Sequence, residues 1–352
     1  TLFPYTTLFR SWEKTRDVKV ALDFGLWKDR INGIVEAYWR KSKDCVTSEY
    51  VPVTTGFFNQ SYNTSVLQNN GVEFSLSVAV LKSKDYNLSV SANVAWNQNK
   101  LKKYNSPNTS LALDKYVGYP MGAVFSGKYE GIDPETGMYK FKLRPDAVTN
   151  KDGYLREPNN YYYYLGTSVA PFTGGFNLNF SYKNIGLSVG GSYSVKAKMV
   201  DNIESPAGYE LLSGSKLESI PTPHNDLYRN HLNVKREVRN RWTPENRTGV
   251  KYPRLIDAYG KKLGLDLTNP TLTTITRGAL LEDISYLRIN TIALSYSLPQ
   301  RVLERINFSS AALNLTLNNF FTITKYSGID PEVPGATYPV SRSVTIGLNV
   351  GF

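Results

Sequence analysis

The sequence predicts an all-β fold: an antiparallel transmembrane β-barrel, of which this chain supplies about nine strands. Three observations predict it. Apolar and polar residues alternate with a period of two in a series of segments, so each strand has one apolar and one polar face. The connections between those segments alternate strictly between short and long, as periplasmic turns and extracellular loops do. The chain also ends on such a strand with an aromatic residue, Phe352, where a barrel places its interfacial girdle.

Taken in order, Val18, Val20, Leu22, Phe24 and Leu26 share the first apolar face, opposite Lys19, Ala21, Asp23 and Gly25. In the second segment Ile31, Gly33, Val35, Ala37 and Trp39 oppose Asn32, Glu36, Tyr38 and Arg40, with Ile34 interrupting the polar side. The third sets Val72, Phe74, Leu76, Val78 and Val80 against Glu73, Ser75, Ser77 and Ala79. Leu88, Val90, Ala92, Val94 and Trp96 oppose Asn87, Ser89, Ser91 and Asn93 in the fourth. Phe172, Phe176, Leu178, Phe180 and Tyr182 form the fifth apolar face. The sixth runs through Leu187, Val189, Tyr193, Val195 and Ala197, with Lys196 and Lys198 on its polar side. In the seventh, Leu287 and Ile289 are odd-numbered but Ile292, Leu294, Tyr296 and Leu298 are even. A bulge near Asn290 and Thr291 repairs the phase, because one extra residue moves every later side chain to the other face. Leu313, Leu315 and Leu317 mark the eighth, and Val344, Ile346, Leu348, Val350 and Phe352 the ninth.

Short connections are expected at 28–30, 81–85, 183–186 and 299–306, all at one end of the sheet. Long ones are expected at 41–71, 98–171, 200–280 and 319–342, at the other. Loops of that length are uncommon inside compact water-soluble domains. Strands of about ten residues at about 3.3 Å each, tilted by about 45°, cover the apolar band of a barrel. On that basis Val72, Phe74, Leu76, Leu88, Val90, Val94, Leu178, Val189, Leu315, Ile346 and Leu348 face lipid. Lys19, Asp23, Glu36, Arg40, Glu73, Lys196 and Lys198 face a wet lumen, since a charge on the lipid side costs up to about 2–4 kcal/mol. An open nine-stranded sheet leaves two rows of unpaired backbone groups, so the chain is expected to be part of a longer barrel.

Composition narrows the function classes. The chain has 352 residues and a net charge of +11, with a mean hydropathy of −0.34. No apolar run reaches the 18 or more residues of a membrane-spanning helix. The positive charge comes without any nucleic-acid-binding motif and suits loops that face anionic lipopolysaccharide or acidic ligands. One cysteine, Cys45, rules out an internal disulfide framework, and with only His224 and His231 beside it no zinc-type cluster is available. No nucleophile motif, phosphate loop or metalloprotease signature is present, so no catalytic residue and no cofactor are assigned. Residues 1–11 fit none of the strand patterning and lack the charged start and cleavage site of a secretory signal; they are read as a leader that is not native.

Several blocks resemble the SusC/RagA family. They are Trp12-Glu-Lys-Thr15, Gly131-Ile-Asp-Pro-Glu-Thr-Gly137, and Leu165-Gly-Thr-Ser-Val-Ala-Pro-Phe-Thr-Gly-Gly175. Towards the end come Ile284-Ser-Tyr-Leu-Arg-Ile-Asn290, Tyr296-Ser-Leu-Pro299, Asn318-Asn-Phe-Phe321 and Lys325-Tyr-Ser-Gly-Ile-Asp-Pro-Glu332. The ordered series runs from about Trp12 to Phe352. The resemblance implies a 22-stranded outer-membrane importer of glycans or oligopeptides, coupled to TonB and paired with a SusD-like surface lipoprotein. It also implies that residues 12–352 are the C-terminal part of that barrel, without the plug and TonB box and unable to transport alone. A passive porin, or a secreted β-rich adhesin or glycan-binding protein, are the competing functions.

Candidate sites lie in the long connections. The phrase Tyr-x-Gly-Ile-Asp-Pro-Glu occurs at 129–135 and again at 326–332. Asp133 with Glu135, and Asp330 with Glu332, are weak candidates for a hard cation, because two carboxylates fall short of a six- to eight-oxygen shell. The competing role is a turn in which the Asp side chain caps backbone N–H groups. Tyr161, Tyr162, Tyr163, Tyr164 and Trp242 are candidates for contact with substrate or lipoprotein, against a competing role in girdle and loop packing. The stretch from Arg229 to Arg254 carries eight Lys/Arg against two Glu and reads chiefly as a solvated face. Phe352 is the expected assembly signal of the parent barrel.

Overall fold

The computed structural model describes residues 12–50, 53–104, 116–135, 137, 139–147, 160–200, 239–250, 277–334 and 338–352. The leader at 1–11, His224 and His231 lie outside these residues.

The strands in chain order are β1 (Lys14–Leu26), β2 (Ile31–Tyr50), β3 (Asn59–Lys82), β4 (Tyr86–Tyr104), β5 (Ala123–Gly127), β6 (Tyr129–Ile132), β7 (Tyr139–Phe141) and β8 (Tyr162–Thr167). They continue with β9 (Phe172–Tyr182), β10 (Ile185–Val195), β11 (Lys198–Val200), β12 (Leu281–Asp283), β13 (Tyr286–Ser297), β14 (Ser310–Thr324) and β15 (Ser343–Gly351). Nine of them form one antiparallel sheet in the order β1-β2-β3-β4-β9-β10-β13-β14-β15. That meander follows the order of the nine alternating segments. The other six pair off outside it, as β5 with β8, β6 with β7, and β11 with β12. No helix among the described residues is long and apolar enough to cross a membrane, which says nothing about strands.

Directly paired residues share a face, so the register tests the alternation. Leu22 pairs with Val35, Val35 with Phe74, and Phe74 with Val94. Val90 pairs with Leu178, Leu178 with Val189, and Val189 with Ile292. Leu294 pairs with Leu315, and Leu315 with Ile346, which closes one apolar face across all nine strands. The register shift between Ile289 and Thr291 places the bulge at Asn290 and brings Ile289 and Ile292 onto the same face.

The apolar face is not a protein core. Leu22 is 65% exposed and Ile346 73%, as a face with no protein layer over it must be. Buried apolar residues gather instead towards the ends of the sheet, with Leu101, Tyr104, Ile284 and Tyr326 near the long connections and Leu303 and Ala311 near the last short one. Four glycines of the sheet lie under an aromatic ring of their paired residue: Gly33 under Phe24, Gly71 under Tyr38, Gly174 under Tyr193 and Gly191 under Phe176. A Cβ on any of them would fall within 2.4 Å of that ring or its hydroxyl. The ring covers backbone that a glycine leaves bare, an established way of holding register in curved sheets.

Three differences from the sequence reading have physical causes. The segment 41–71 is mostly strand, because β2 runs 20 residues to Tyr50 and β3 24 from Asn59, with a single helical turn at Val53–Thr55 among the described residues between them. Their hairpin therefore projects well past an apolar band that about ten residues cover. Polar alternation such as Thr47, Ser61 and Asn63 carries no hydrophobic signal, although the backbone pairs equally well. Similarly β4 continues to Tyr104 and β14 to Thr324, into segments read as loop. Lys196 and Lys198 do not continue the polar face of β10. Lys196 has a left-handed backbone (φ 69°), the strand ends at Val195, and Lys198 starts the separate pair β11–β12. Finally, the connection 299–306 holds a short helix, α1 (Gln300–Arg305), started by Pro299, whose extended backbone suits a helix entry.

Candidate functional site

The polar side of the sheet borders an open hollow of about 1010 Å³, lined by residues such as Ser75, Ser91, Asn93, Asn177 and Ser188. Its charge is concentrated on β1–β3. There Lys19 pairs with Glu36 at 2.7 Å, Arg40 pairs with Asp17 at 2.7 Å, and Glu73 faces Glu36 across the register. These pairs are solvent-exposed and contribute little stability. From β4 to β15 the same face is built mainly of Ser, Thr, Asn and Gly.

At the far end of the sheet the two copies of Tyr-x-Gly-Ile-Asp-Pro-Glu fold into the same turn. Oδ1 of Asp133 accepts the Glu135 N–H at 3.0 Å, and Oδ1 of Asp330 accepts the Glu332 N–H at 2.9 Å. This is the capping role weighed in the sequence reading. No group of His, Cys, Asp or Glu suited to a metal occurs among the described residues. Asp330 and Glu332 are instead occupied by Arg288 of β13. One guanidinium nitrogen donates to Asp330 Oδ1 at 2.5 Å and another lies 2.9 Å from Glu332 Oε2. Arg288 is 3% exposed and Asp330 6%. Burial raises the Asp330 pKa, but the Glu332 N–H, the Arg288 guanidinium and the Val340 N–H outweigh it, so the carboxyl titrates below its usual range.

The first copy has a different neighbour. The indole N–H of Trp242 donates to the Pro134 carbonyl at 3.0 Å, and Trp242 is 6% exposed. One long connection is thereby tied to another. A second tie lies close by: a Cβ on Gly278 would fall 1.8 Å from the Gly127 carbonyl oxygen, so only glycine permits that approach of residues Arg277–Leu280 to β5. The described parts of the two connections thus pack against each other at Pro134 and at Gly127, a joint termed the loop platform.

The four tyrosines fall in and beside β8. Tyr161 precedes the strand, with its phenol pKa raised by burial. Tyr162 and Tyr163 pair with Gly127 and Ser126, and the Tyr163 hydroxyl donates to the Leu143 carbonyl at 2.9 Å. Tyr164 packs against Tyr119 (4.9 Å between ring centroids) and Phe125 (5.7 Å), and remains 40% exposed. Among these candidates, Tyr164 lines a pocket, together with Met121, Val169 and several amides. The structure does not bring Trp242 beside the tyrosines; it places it on the Pro134 turn. Phe352 is 93% exposed, edge-on to Phe308 at 5.2 Å.

Sequence reasoning missed Arg288 as a partner of the second turn. The signal lay in two separate blocks, Ile284–Asn290 and Lys325–Glu332, and nothing local says that one holds the other.

Known proteins resemble this chain in sequence and, for one solved transporter, in structure. The chain is 25% identical over 377 residues to the TonB-dependent receptor P26 of Formosa agariphila, covering 97% of this chain and 35% of that protein. It is likewise 25% identical to the TonB-dependent receptor SusC of Bacteroides thetaiotaomicron, covering 97% of this chain and 32% of that one. The solved RagAB peptide transporter superposes with a TM-score of 0.74 and 26% identity, over 97% of this chain and 36% of that one. The chain is SusC/RagA-like. No protein-family model matches it. The SusC/RagA-like chain spans about a third of the length of the curated relatives it matches. Its nine-stranded sheet corresponds to part of the RagA barrel.

Proposed function

We propose that this chain is the C-terminal part of an outer-membrane, TonB-dependent importer of large nutrients that works with a SusD-like surface lipoprotein. The observation that carries this reading is the apolar face, continuous across nine strands and exposed, backed by a hollow of hydroxyl and amide groups. In water such a face is a liability; in a bilayer it is the contact surface of a barrel. The likeness to TonB-dependent receptors and to RagAB supports coupling to TonB and a lipoprotein partner. Glycans and oligopeptides are the substrate classes. Transport belongs to the whole protein, with strands, plug and TonB box beyond this chain. The exposed connections contact lipopolysaccharide, substrate and lipoprotein, while the β1 and β15 edges pair with the rest of the barrel.

Deleting the parent gene tests the reading, with uptake followed with and without TonB. The product is expected in the outer-membrane fraction as a heat-modifiable barrel, and uptake of its nutrient is expected to require both it and TonB. A water-soluble product would overturn the barrel, and TonB-independent uptake would favour a passive porin. Phe352 carries a separate expectation: its deletion lowers barrel abundance in the outer membrane. Unchanged abundance of the heat-modifiable form would remove its role as an assembly signal.

A further inference from the structure

Towards the long connections, the apolar face of β1–β4 gives way to a row of cations. Val18 pairs with Trp39, and the next pair along the same face is Arg16 with Lys41. The pair after that is Lys14 with Lys43. The register carries the row across the sheet, because Lys41 pairs with Gln68 and Gln68 with Lys100. A bulge in β4 then sets Lys103 opposite Val66, on the same face as Gln68. Farther along, Lys196 holds its Nζ 5.0 Å from the ring centroid of Phe172, which pairs with Trp96 on the apolar face. One carboxylate stands by the row, Asp44, at 3.9 Å from Lys14 Nζ.

The opposite face of the same two strands is built differently. There Asp17 pairs with Arg40 in register and in charge, and Lys19 reaches Glu36. Opposite signs answer each other on that face, whereas Arg16 stands against Lys41 and Lys14 against Lys43 on the outward one. Like charges directly opposite in a sheet repel, and an anion lying between them turns that repulsion into attraction. A cation on the lipid side is costly at the midplane and nearly free at the interface. At that depth long Lys and Arg stems lie along apolar surface and carry their charge to the headgroups. Trp39 and Trp96, at the limit of the apolar runs of β2 and β4, mark the interface.

We propose that this outward row binds the phosphate groups of lipid headgroups in the outer leaflet. The proposal rests on the import reading for the choice of leaflet, and adds to it the lipid chemistry and the strand residues that meet it. Continuity selects a lipid over a soluble anion. Arg16 and Lys41 adjoin Val18 and Trp39 on one surface, so an amphiphile covers both, with its chains on the apolar band and its phosphate on the cations. Guanidinium groups hold phosphate through parallel N–H bonds and ammonium groups hold it as point charges. A leaflet of anionic headgroups adds a long-range attraction for such a row.

The test uses the full-length transporter in a non-ionic detergent, mixed with lipid A, with dephosphorylated lipid A, or with inorganic phosphate alone. Lipid A is expected to be retained and its dephosphorylated form to be retained far less. Arg16→Gln with Lys41→Gln should lower lipid A retention about tenfold. Lys19→Gln with Arg40→Gln removes the same charge from the opposite face of the same strands and should leave retention unchanged. Arg16→Lys with Lys41→Arg should retain lipid as the parent does. All variants are to be compared at equal heat-modifiable barrel content. Equal loss on both faces, unchanged retention in the outward pair, equal retention of the dephosphorylated lipid, or capture of inorganic phosphate without lipid would overturn the proposal. TonB-dependent uptake measured in parallel separates the two readings. If the outward pair keeps its lipid while uptake still requires TonB, the cation row fails and the importer stands; if uptake proceeds without TonB, the importer reading fails by itself.

Discussion

The two Tyr-x-Gly-Ile-Asp-Pro-Glu turns have the same spacing and the same internal hydrogen bond, yet they are held by different chemistry. At 326–332 the turn is pinned to the sheet by Arg288, whose guanidinium reaches both Asp330 and Glu332. At 129–135 the turn accepts a neutral hydrogen bond from Trp242, a residue of another long connection. Tyr326 is 6% exposed whereas Tyr129 is 36% exposed. A motif thus specifies a local turn, and its surroundings decide whether that turn is a fixture of the barrel wall or a joint of the loop platform.

The largest expected effect comes from Arg288. Arg288→Met leaves Asp330 buried without its partner and should cost about 3–5 kcal/mol, read as a lower unfolding midpoint of the heat-modifiable barrel. Adding Asp330→Asn and Glu332→Gln to that variant should recover part of the loss; no recovery would mean that the charges are not what holds the turn. Asp330→Asn alone should cost less, about 1.5–3 kcal/mol, and should raise protease sensitivity within 325–342 before it affects 129–135. Equal sensitivity of both turns would erase the contrast drawn here.

Acid sharpens the same contrast. Because the Asp330 pKa is lowered in the folded state, its stabilisation is complete above the unfolded carboxylate value of about 3.9 and fades as pH falls through the lower folded value. Hydrogen exchange in 325–342 should therefore stay slow at pH 5 and quicken below about pH 4. Acceleration already near pH 6 would point to a different titrating group. The smallest effect is expected for Trp242→Phe, which keeps most of the buried ring and removes one hydrogen bond, about 1 kcal/mol. Proteolysis near 239–250 should increase while the barrel midpoint stays constant. A shifted midpoint would show that the platform and the wall unfold together.

Much of the fold was legible in the residues. The nine strands of the large sheet, its two faces and the bulge at Asn290 follow from alternation, because the pleat forces neighbouring side chains to opposite sides; the six short strands outside that sheet do not. Strand ends were less legible. Thr47, Asn63, Asn99 and Thr322 keep pairing outside the apolar band, where hydrophobicity no longer marks which residues are strand. Of the site, the residue types were visible at Tyr164 and Trp242, but not their separate surroundings.

By itself the sequence determined what each strand offers to either side, since a period of two is a property of local backbone geometry and needs no distant contact. Tertiary structure alone decided that Arg288 meets Asp330 and Glu332, that Trp242 meets Pro134, and that residues 118–121 hydrogen-bond to Asn99 and Leu101 at the end of β4. Those meetings depend on the path of long connections in space. Hydrophobic periodicity carries no record of that path.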